Sequence, residues 1–165
     1  MTVHVDTRVL IVDDDDANRT VLRLGCESLG IDVVEAASGI RALELASATS
    51  FALILLDLGL PDITGVEVCR CLRARAVVTP IIVVSAHSGQ AHVELALTAG
   101  ADEYIEKPYR AAKLLVRIRA YARPGDTGVQ LPGLPVERRP GPATRDEGHG
   151  ARRRWGSARR HELMP

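Results

Sequence analysis

Aromatic side chains are scarce in this chain, with one Trp, three Tyr and one Phe among 165 residues. The core must therefore be aliphatic, and a nucleic-acid platform that stacks bases on several exposed rings is excluded. Cysteine is scarce too. Three residues, an odd number without regular spacing, give no disulfide framework. Cys69-x-Cys71 lacks the second ligand pair of a zinc site, and on a short helix it is expected to place one thiol in the core and one outside. No run approaches the ~18 to 20 apolar residues of a membrane-spanning helix. Met1 to Arg8 lacks the charged-then-apolar layout of a signal peptide. A reduced, cytoplasmic protein is the expectation.

Apolar residues, at 46% of the chain, suffice for one real core. Charge is plentiful but cancels, 21 basic against 21 acidic side chains. The cancellation hides a split. Residues 1–123 hold 13 Lys/Arg and 16 Asp/Glu, whereas residues 124–165 hold 8 Arg and 5 Asp/Glu. That second stretch also carries 6 of the 9 prolines and 7 of the 14 glycines. A segment such as Arg138-Arg139-Pro140-Gly141-Pro142 cannot bury enough apolar surface to offset its ordering entropy. The reading is one domain over 1–123 and a basic, Pro/Gly/Arg-rich tail over 124–165, expected to be disordered.

Within the domain, short apolar runs without polar alternation appear at Val9 to Val12, Ala52 to Leu56 and Ile81 to Val84, with weaker ones at Val33-Val34 and Tyr104-Ile105. Such runs suit strands buried on both faces of a parallel sheet. Stretches with helical spacing lie between them. Val21, Leu22, Leu24 and Leu29 mark the expected inner face of the first helix, which Gly30 ends. Asp15 or Asp16 caps its start. Ser38 is the expected N-cap of a second helix through Leu43 and Leu45. Gly65 to Leu72 reads as a third, Ala91 to Leu97 as a fourth closed by Gly100, and Leu114, Leu115 and Ile118 stripe a fifth. Five βα units in about 120 residues predict a doubly wound α/β sandwich with right-handed crossovers. Ligands of such sheets bind beyond the carboxyl ends of the strands.

The residues just after each strand form a short list. Asp13-Asp14-Asp15-Asp16 follows the first, Asp57 the third and Ser85-Ala86-His87 the fourth, while the fifth leads into Lys107-Pro108. Asp13, Asp14 and Asp57 at close quarters repel one another and call for a divalent cation. All-oxygen ligands with room for water favour Mg²⁺. Lys107 supplies a second positive charge for phosphoryl oxygens, and Ser85 a hydroxyl that can donate to one of them. No Cys–His or Ser–His pair stands out among these ends, so the best nucleophile is a carboxylate, and Asp57 is the lone acid at the central strand's end. His87 reads as a loop residue near the site.

Taken together, the segments Val9-Leu10-Ile11-Val12-Asp13-Asp14-Asp15, Leu55-Leu56-Asp57-Leu58-Gly59-Leu60-Pro61-Asp62, Val83-Val84-Ser85-Ala86 and Gly100-Ala101-Asp102-Glu103-Tyr104-Ile105-Glu106-Lys107-Pro108-Tyr109 resemble the CheY-like receiver domain of bacterial response regulators. The resemblance covers Thr7 to about Arg123. It implies a flavodoxin-like five-stranded sheet of order 2-1-3-4-5 and a phospho-acceptor at Asp57, served by a sensor histidine kinase. It also implies that Asp14, Asp57 and the backbone carbonyl of Gly59 ligate Mg²⁺, with Asp13 acting through water. Ser85 and Tyr104 would be the switch pair, Lys107 the phosphate-binding lysine and Lys107-Pro108 a cis peptide. Receivers mostly carry Phe where Tyr109 stands.

Among receivers, these segments look most like those of OmpR/PhoB-type transcription factors, the potassium-responsive members above all. Such receivers form homodimers through the fourth helix, fifth strand and fifth helix. Asp102 and Arg117 stand where one cross-subunit ion pair would form, while Lys113 occupies a position expected to be acidic. An OmpR/PhoB-type regulator would add a winged-helix DNA-binding domain of about 100 residues. The 42 residues of the tail hold no complete one, so DNA binding is doubtful. The tail then reads either as a frameshift remnant of a lost output domain or as a variable tail, with Arg152-Arg153-Arg154 and Arg159-Arg160 at most a weak basic arm. A rival from another class is a metal-dependent phosphatase with an aspartyl nucleophile. Its pattern of Asp, any residue, Asp, any residue, Thr or Val is broken by Asp13-x-Asp15-x-Ala17. A dinucleotide-binding enzyme fails for want of a glycine-rich turn after the first strand. The expectation is therefore a signalling switch and not an enzyme.

Overall fold

The computed structural model describes residues 7–123. The tail expected over 124–165 lies outside the described residues. Elements alternate strictly: β1 (Arg8–Val12), α1 (Asp16–Ser28), β2 (Asp32–Ala36), α2 (Gly39–Ala48), β3 (Leu53–Leu56), α3 (Gly65–Ala74), β4 (Ile81–Ser85), α4 (Gln90–Ala99), β5 (Glu103–Glu106) and α5 (Ala111–Ala122). All strand pairs are parallel, and the order across the sheet is β2-β1-β3-β4-β5. This is the doubly wound α/β architecture expected from the apolar runs. Among the described residues no helix is long and apolar enough to cross a membrane.

The burial pattern explains why three strands are plain in the sequence and two are faint. β3 and β4 are buried at every position, and β1 at all but its first. Alternate residues of these strands enter different cores, as the period of two requires. Leu10, Val12, Ile54, Leu56, Ile81 and Val83 face Val68, Cys69, Leu72 and Ala96 of α3 and α4. Val9, Ile11, Leu53, Leu55, Ile82 and Val84 face Leu22 and Cys26 of α1 and Leu114 and Ile118 of α5. The edge strands β2 and β5 keep polar residues at their outer positions, so their apolar runs are short.

One expectation about α1 fails. Val21 and Leu24 do not face the core but are 58% and 54% exposed. The buried stripe runs Leu22, Cys26 and Leu29, at the spacing i, i+4, i+7. Cys26, which the leucine pattern passes over, is the central contact of that stripe, and burial pushes its thiol up to about 11. Asp15 is the N-cap, its carboxylate accepting from Asn18 N at 2.8 Å. Gly30 closes the helix with φ of 67°, a conformation costly for other residues, while the Gly30 and Ile31 N–H groups satisfy Glu27 and Cys26 carbonyls. Cys69 is buried and Cys71 partly exposed, as expected for that pair.

The helix opposite the β3 loop is tied to it by one carboxylate. Asp62 accepts from Gly39 N and Ile40 N, both at 2.8 Å, at the start of α2. There the free N–H groups and the helix dipole both favour a negative charge. The Ile40 N–H above all, with those of Ile63 and Gly39, holds the Asp62 carboxyl down at about 2. A carboxyl depressed by folding contributes stability above its unfolded value near 3.9 and loses it as the pH falls through its folded value. Asp62→Asn is therefore expected to lower the melting temperature at neutral pH and to flatten the loss of stability between about pH 4 and pH 2. Thermal melts across that window check this, and an unchanged acid limb would remove the clasp from the account.

Candidate functional site

The site forms where the strands stop and the backbone ladder carries on for one more residue. Asp13 N donates to Ala36 O at 3.2 Å, Asp57 N to Val12 O at 2.8 Å, and Lys107 N to Ser85 O at 2.9 Å. These bonds fix three functional side chains on one edge before any side-chain contact forms. α3 then starts immediately behind the central acid. Thr64 and Glu67 make a reciprocal capping box, and Gly65 N donates to Leu58 O at 3.0 Å. A Cβ at Gly65 would lie 2.3 Å from Asp57 O, so only glycine allows this approach.

Asp13, Asp14 and Asp57 are brought together, each offering a carboxylate oxygen within 4.8 Å of the others. Asp13 is buried, Asp14 exposed and Asp57 between the two. Lys107 Nζ reaches into the group, 2.8 Å from Asp13 Oδ2 and 3.7 Å from Asp57 Oδ1. Burial alone would lower the Lys107 ammonium, but the bond to Asp13 and the charges of Asp57 and Asp13 outweigh it and hold it above its ordinary value. Below the carboxylates, Arg19 Nη1 donates to Asp13 O at 2.7 Å, and its guanidinium also meets Asp16 and Glu35. Asp13 Oδ1 accepts from Asp15 N at 2.9 Å. Hard oxygen donors around a partly open space fit a hard divalent cation, with room for water and a phosphoryl oxygen.

The other candidates surround this group. Gly59 lies beside Asp57, its N–H donating to Asp57 Oδ2 at 3.2 Å. Ser85 is the fully buried last residue of β4. Tyr104 on β5 donates its hydroxyl to His87 O at 2.5 Å, and burial raises its phenol. The Lys107–Pro108 peptide is cis, as the resemblance implied. Tyr109 packs against the core beneath α1 and α5.

Two residues escape sequence reasoning. Arg19 supports Asp13 through the backbone, and its only trace in the sequence is a basic residue one helical turn after an acidic run. His87 reads there as a loop residue, and no Ser–His pair is expected. Yet Ser85 Oγ and His87 Nδ1 lie 3.0 Å apart. The chain leaves the extended conformation after Ser85, so residues two apart come into contact beyond the end of the strand. Because Ser85 is buried, the pair does not present a hydroxyl to an incoming substrate.

Asp102 and Arg117, placed by the resemblance in a cross-subunit pair, are both engaged within the chain. Asp102 Oδ2 accepts from Arg73 Nη2 at 3.0 Å and from Ile81 N at 2.8 Å. Arg117 Nε is 3.1 Å from Glu103 Oε1.

Comparison with known proteins gives one family. The profile of the response regulator receiver domain matches residues 9–119. The KDP operon transcriptional regulatory protein KdpE of Escherichia coli is 44% identical over 117 residues, which are 71% of this chain and 52% of that one. The DNA-binding response regulator MtrA of Mycobacterium tuberculosis is 39% identical over 119 residues, 72% of this chain and 52% of that protein. The chain thus spans about half the length of the curated relatives it matches. Among solved structures, the BeF3-activated receiver domain of Klebsiella pneumoniae RstA shares 32% identity with a TM-score of 0.67, covering 70% of this chain and 98% of that one.

The closeness of α3 to Asp57 makes a direct test of how the site is built. Gly65→Ala is expected to cost about 1–3 kcal/mol, the usual effect of forcing a methyl into filled space, and to weaken binding of a divalent cation by displacing Asp57. Chemical denaturation and cation titration check this. Unchanged values in both would show that the approach of α3 does not position Asp57.

Proposed function

The chain belongs to the response regulator receiver family, and from that premise we propose that Asp57 accepts a phosphoryl group from a phosphohistidine of a sensor histidine kinase in the cytoplasm. The observation that carries this reading is the Lys107 ammonium between Asp13 and Asp57 at one strand edge. That arrangement sets a fixed positive charge 3.7 Å from the Asp57 side chain. An oxygen of Asp57 forms the new O–P bond while the N–P bond of the phosphohistidine breaks, and the released imidazole takes up a proton. Lys107 neutralises charge spread over the phosphoryl oxygens and holds them in line. Asp13, Asp14, Asp57 and the Gly59 carbonyl would hold Mg²⁺, which supplies charge neutralisation at those oxygens. The chain acts as the recipient of its partner's phosphoryl group and not as an enzyme on a free substrate.

The acyl phosphate offers Ser85 a new acceptor. Ser85 moving toward it vacates space behind β4, into which the Tyr104 ring can turn. Phosphorylation in this way biases an element that already has two arrangements. We assign phosphorylation-dependent homodimerisation to the face of α4, β5 and α5, two helices of which carry exposed apolar residues, Leu95 and Leu97 on α4 and Val116 on α5. Since Asp102 and Arg117 already have partners within the chain, that contact would be more apolar than an ion-pair network.

Asp57→Asn is expected to abolish phosphorylation by a small-molecule acyl phosphate donor in Mg²⁺, read as loss of the phosphoryl mass on the intact protein. Undiminished labelling of that variant at another residue would sink the assignment.

A further inference from the structure

The Ser85–His87 contact plays no part in the phosphoryl transfer, and it competes with the switching step that comes after it. His87 N donates to Ser85 Oγ at 3.3 Å, and His87 Nδ1 lies 3.0 Å from the same oxygen. In the tautomer with Nδ1 unprotonated, the Ser85 hydroxyl donates its one proton to that nitrogen while accepting from the His87 backbone. Two atoms of His87 thus hold the buried hydroxyl, which also hydrogen-bonds Tyr104. The ring has two neighbours. Its Cε1 stands 3.4 Å from where a Cβ of Gly59 would be, and it is tilted against His92 with centroids 5.4 Å apart. The His87 carbonyl accepts the Tyr104 hydroxyl at 2.5 Å. One residue thus touches both members of the switch pair.

Resting on the reading of Asp57 as phospho-acceptor, we propose that His87 is a positioning residue, a latch that holds the Ser85 hydroxyl in its unphosphorylated position. Ser85 has one hydroxyl proton, so it cannot donate to Nδ1 and to a phosphoryl oxygen at once. The two bonds exclude each other. Whatever free energy the imidazole bond gives the unphosphorylated state is subtracted from the affinity of the site for a phosphoryl group. The worth of one ordinary hydrogen bond corresponds to roughly a two- to tenfold change in that affinity. The latch does not block the switch. It sets how strongly the phosphoryl group must pull, and by linkage how much of the unmodified protein already occupies the switched arrangement.

The test titrates beryllofluoride, a phosphoryl mimic, into the full chain in saturating Mg²⁺, comparing wild type with His87→Ala, His87→Asn and Asp57→Asn. His87 is exposed, so the fold tolerates these changes. His87→Ala is expected to bind two- to tenfold more tightly than wild type. In its unbound form, the amide resonances of the β4–α4 loop and of Tyr104 should move toward their bound positions. His87→Asn keeps an acceptor near the place of Nδ1 and is expected within about twofold of wild type. Adding Ser85→Ala to His87→Ala should erase the gain relative to Ser85→Ala alone. Tight wild-type binding with His87→Ala no tighter would overturn the latch alone. So would a His87→Asn variant that binds as tightly as His87→Ala, because ring bulk would then be the cause. Wild type binding no better than Asp57→Asn would overturn the phospho-acceptor reading, and the latch with it.

Discussion

An aliphatic sheet delivers three carboxylates to one edge, and the ammonium of Lys107 is what makes that edge tolerable. Two unit charges about 4 Å apart interact by about 4 kcal/mol at an effective dielectric constant of about 20. That is a large part of the roughly 5–15 kcal/mol by which a domain is stable at all. Lys107 lies within ion-pair distance of Asp13 and Asp57 together, and Arg19 anchors the loop from below. The rest of the edge depends on this arrangement. Asp14 is left exposed, Gly65 must be small, and Asp62 clasps the start of α2 so that the β3 loop stays in place. The charges that repel in the isolated chain are the ones a cation and a phosphoryl group would use.

Much of this is legible in the order of residues alone. Strands buried on both faces write themselves as unbroken apolar runs, so β1, β3 and β4 are plain, and the acids, hydroxyl and lysine beyond the strands are found by position. Where a face is half exposed the signal degrades. On α1 the leucine pattern points to Val21 and Leu24, but the small thiol of Cys26 packs with α5, where a Cβ at Gly25 would come within 2.9 Å of the Leu115 side chain. Hydrophobicity ranks Leu above Cys, whereas packing selected for volume. Single contacts set by loop geometry are not legible at all. Nothing in Ser85-Ala86-His87 announces that its first and third side chains meet, and nothing in Arg73 announces that it will occupy Asp102.

Those local contacts are where this receiver acquires its own character. The family resemblance supplies an acceptor, a lysine and a switch pair. This chain's own residues bring Ser85 to a histidine and keep Asp102 and Arg117 in internal pairs. On the reading proposed above, the first contact bears on how readily the switch turns and the second on what surface it offers once turned. Both are small free-energy terms, comparable with one or two hydrogen bonds. A two-state element with a gap of a few kcal/mol is sensitive to terms of that size.

Lys107 shares with a bound cation the task of neutralising Asp13 and Asp57, and its own further part is to hold the phosphoryl oxygens in line during transfer. The most direct measurement is the Mg²⁺ dissociation constant of Lys107→Gln beside its rate of phosphorylation. Removing the ammonium leaves the carboxylates more negative, so Mg²⁺ should bind at least as tightly as in wild type while phosphorylation slows by about tenfold or more. Weaker Mg²⁺ binding with an unchanged rate would contradict that division of labour.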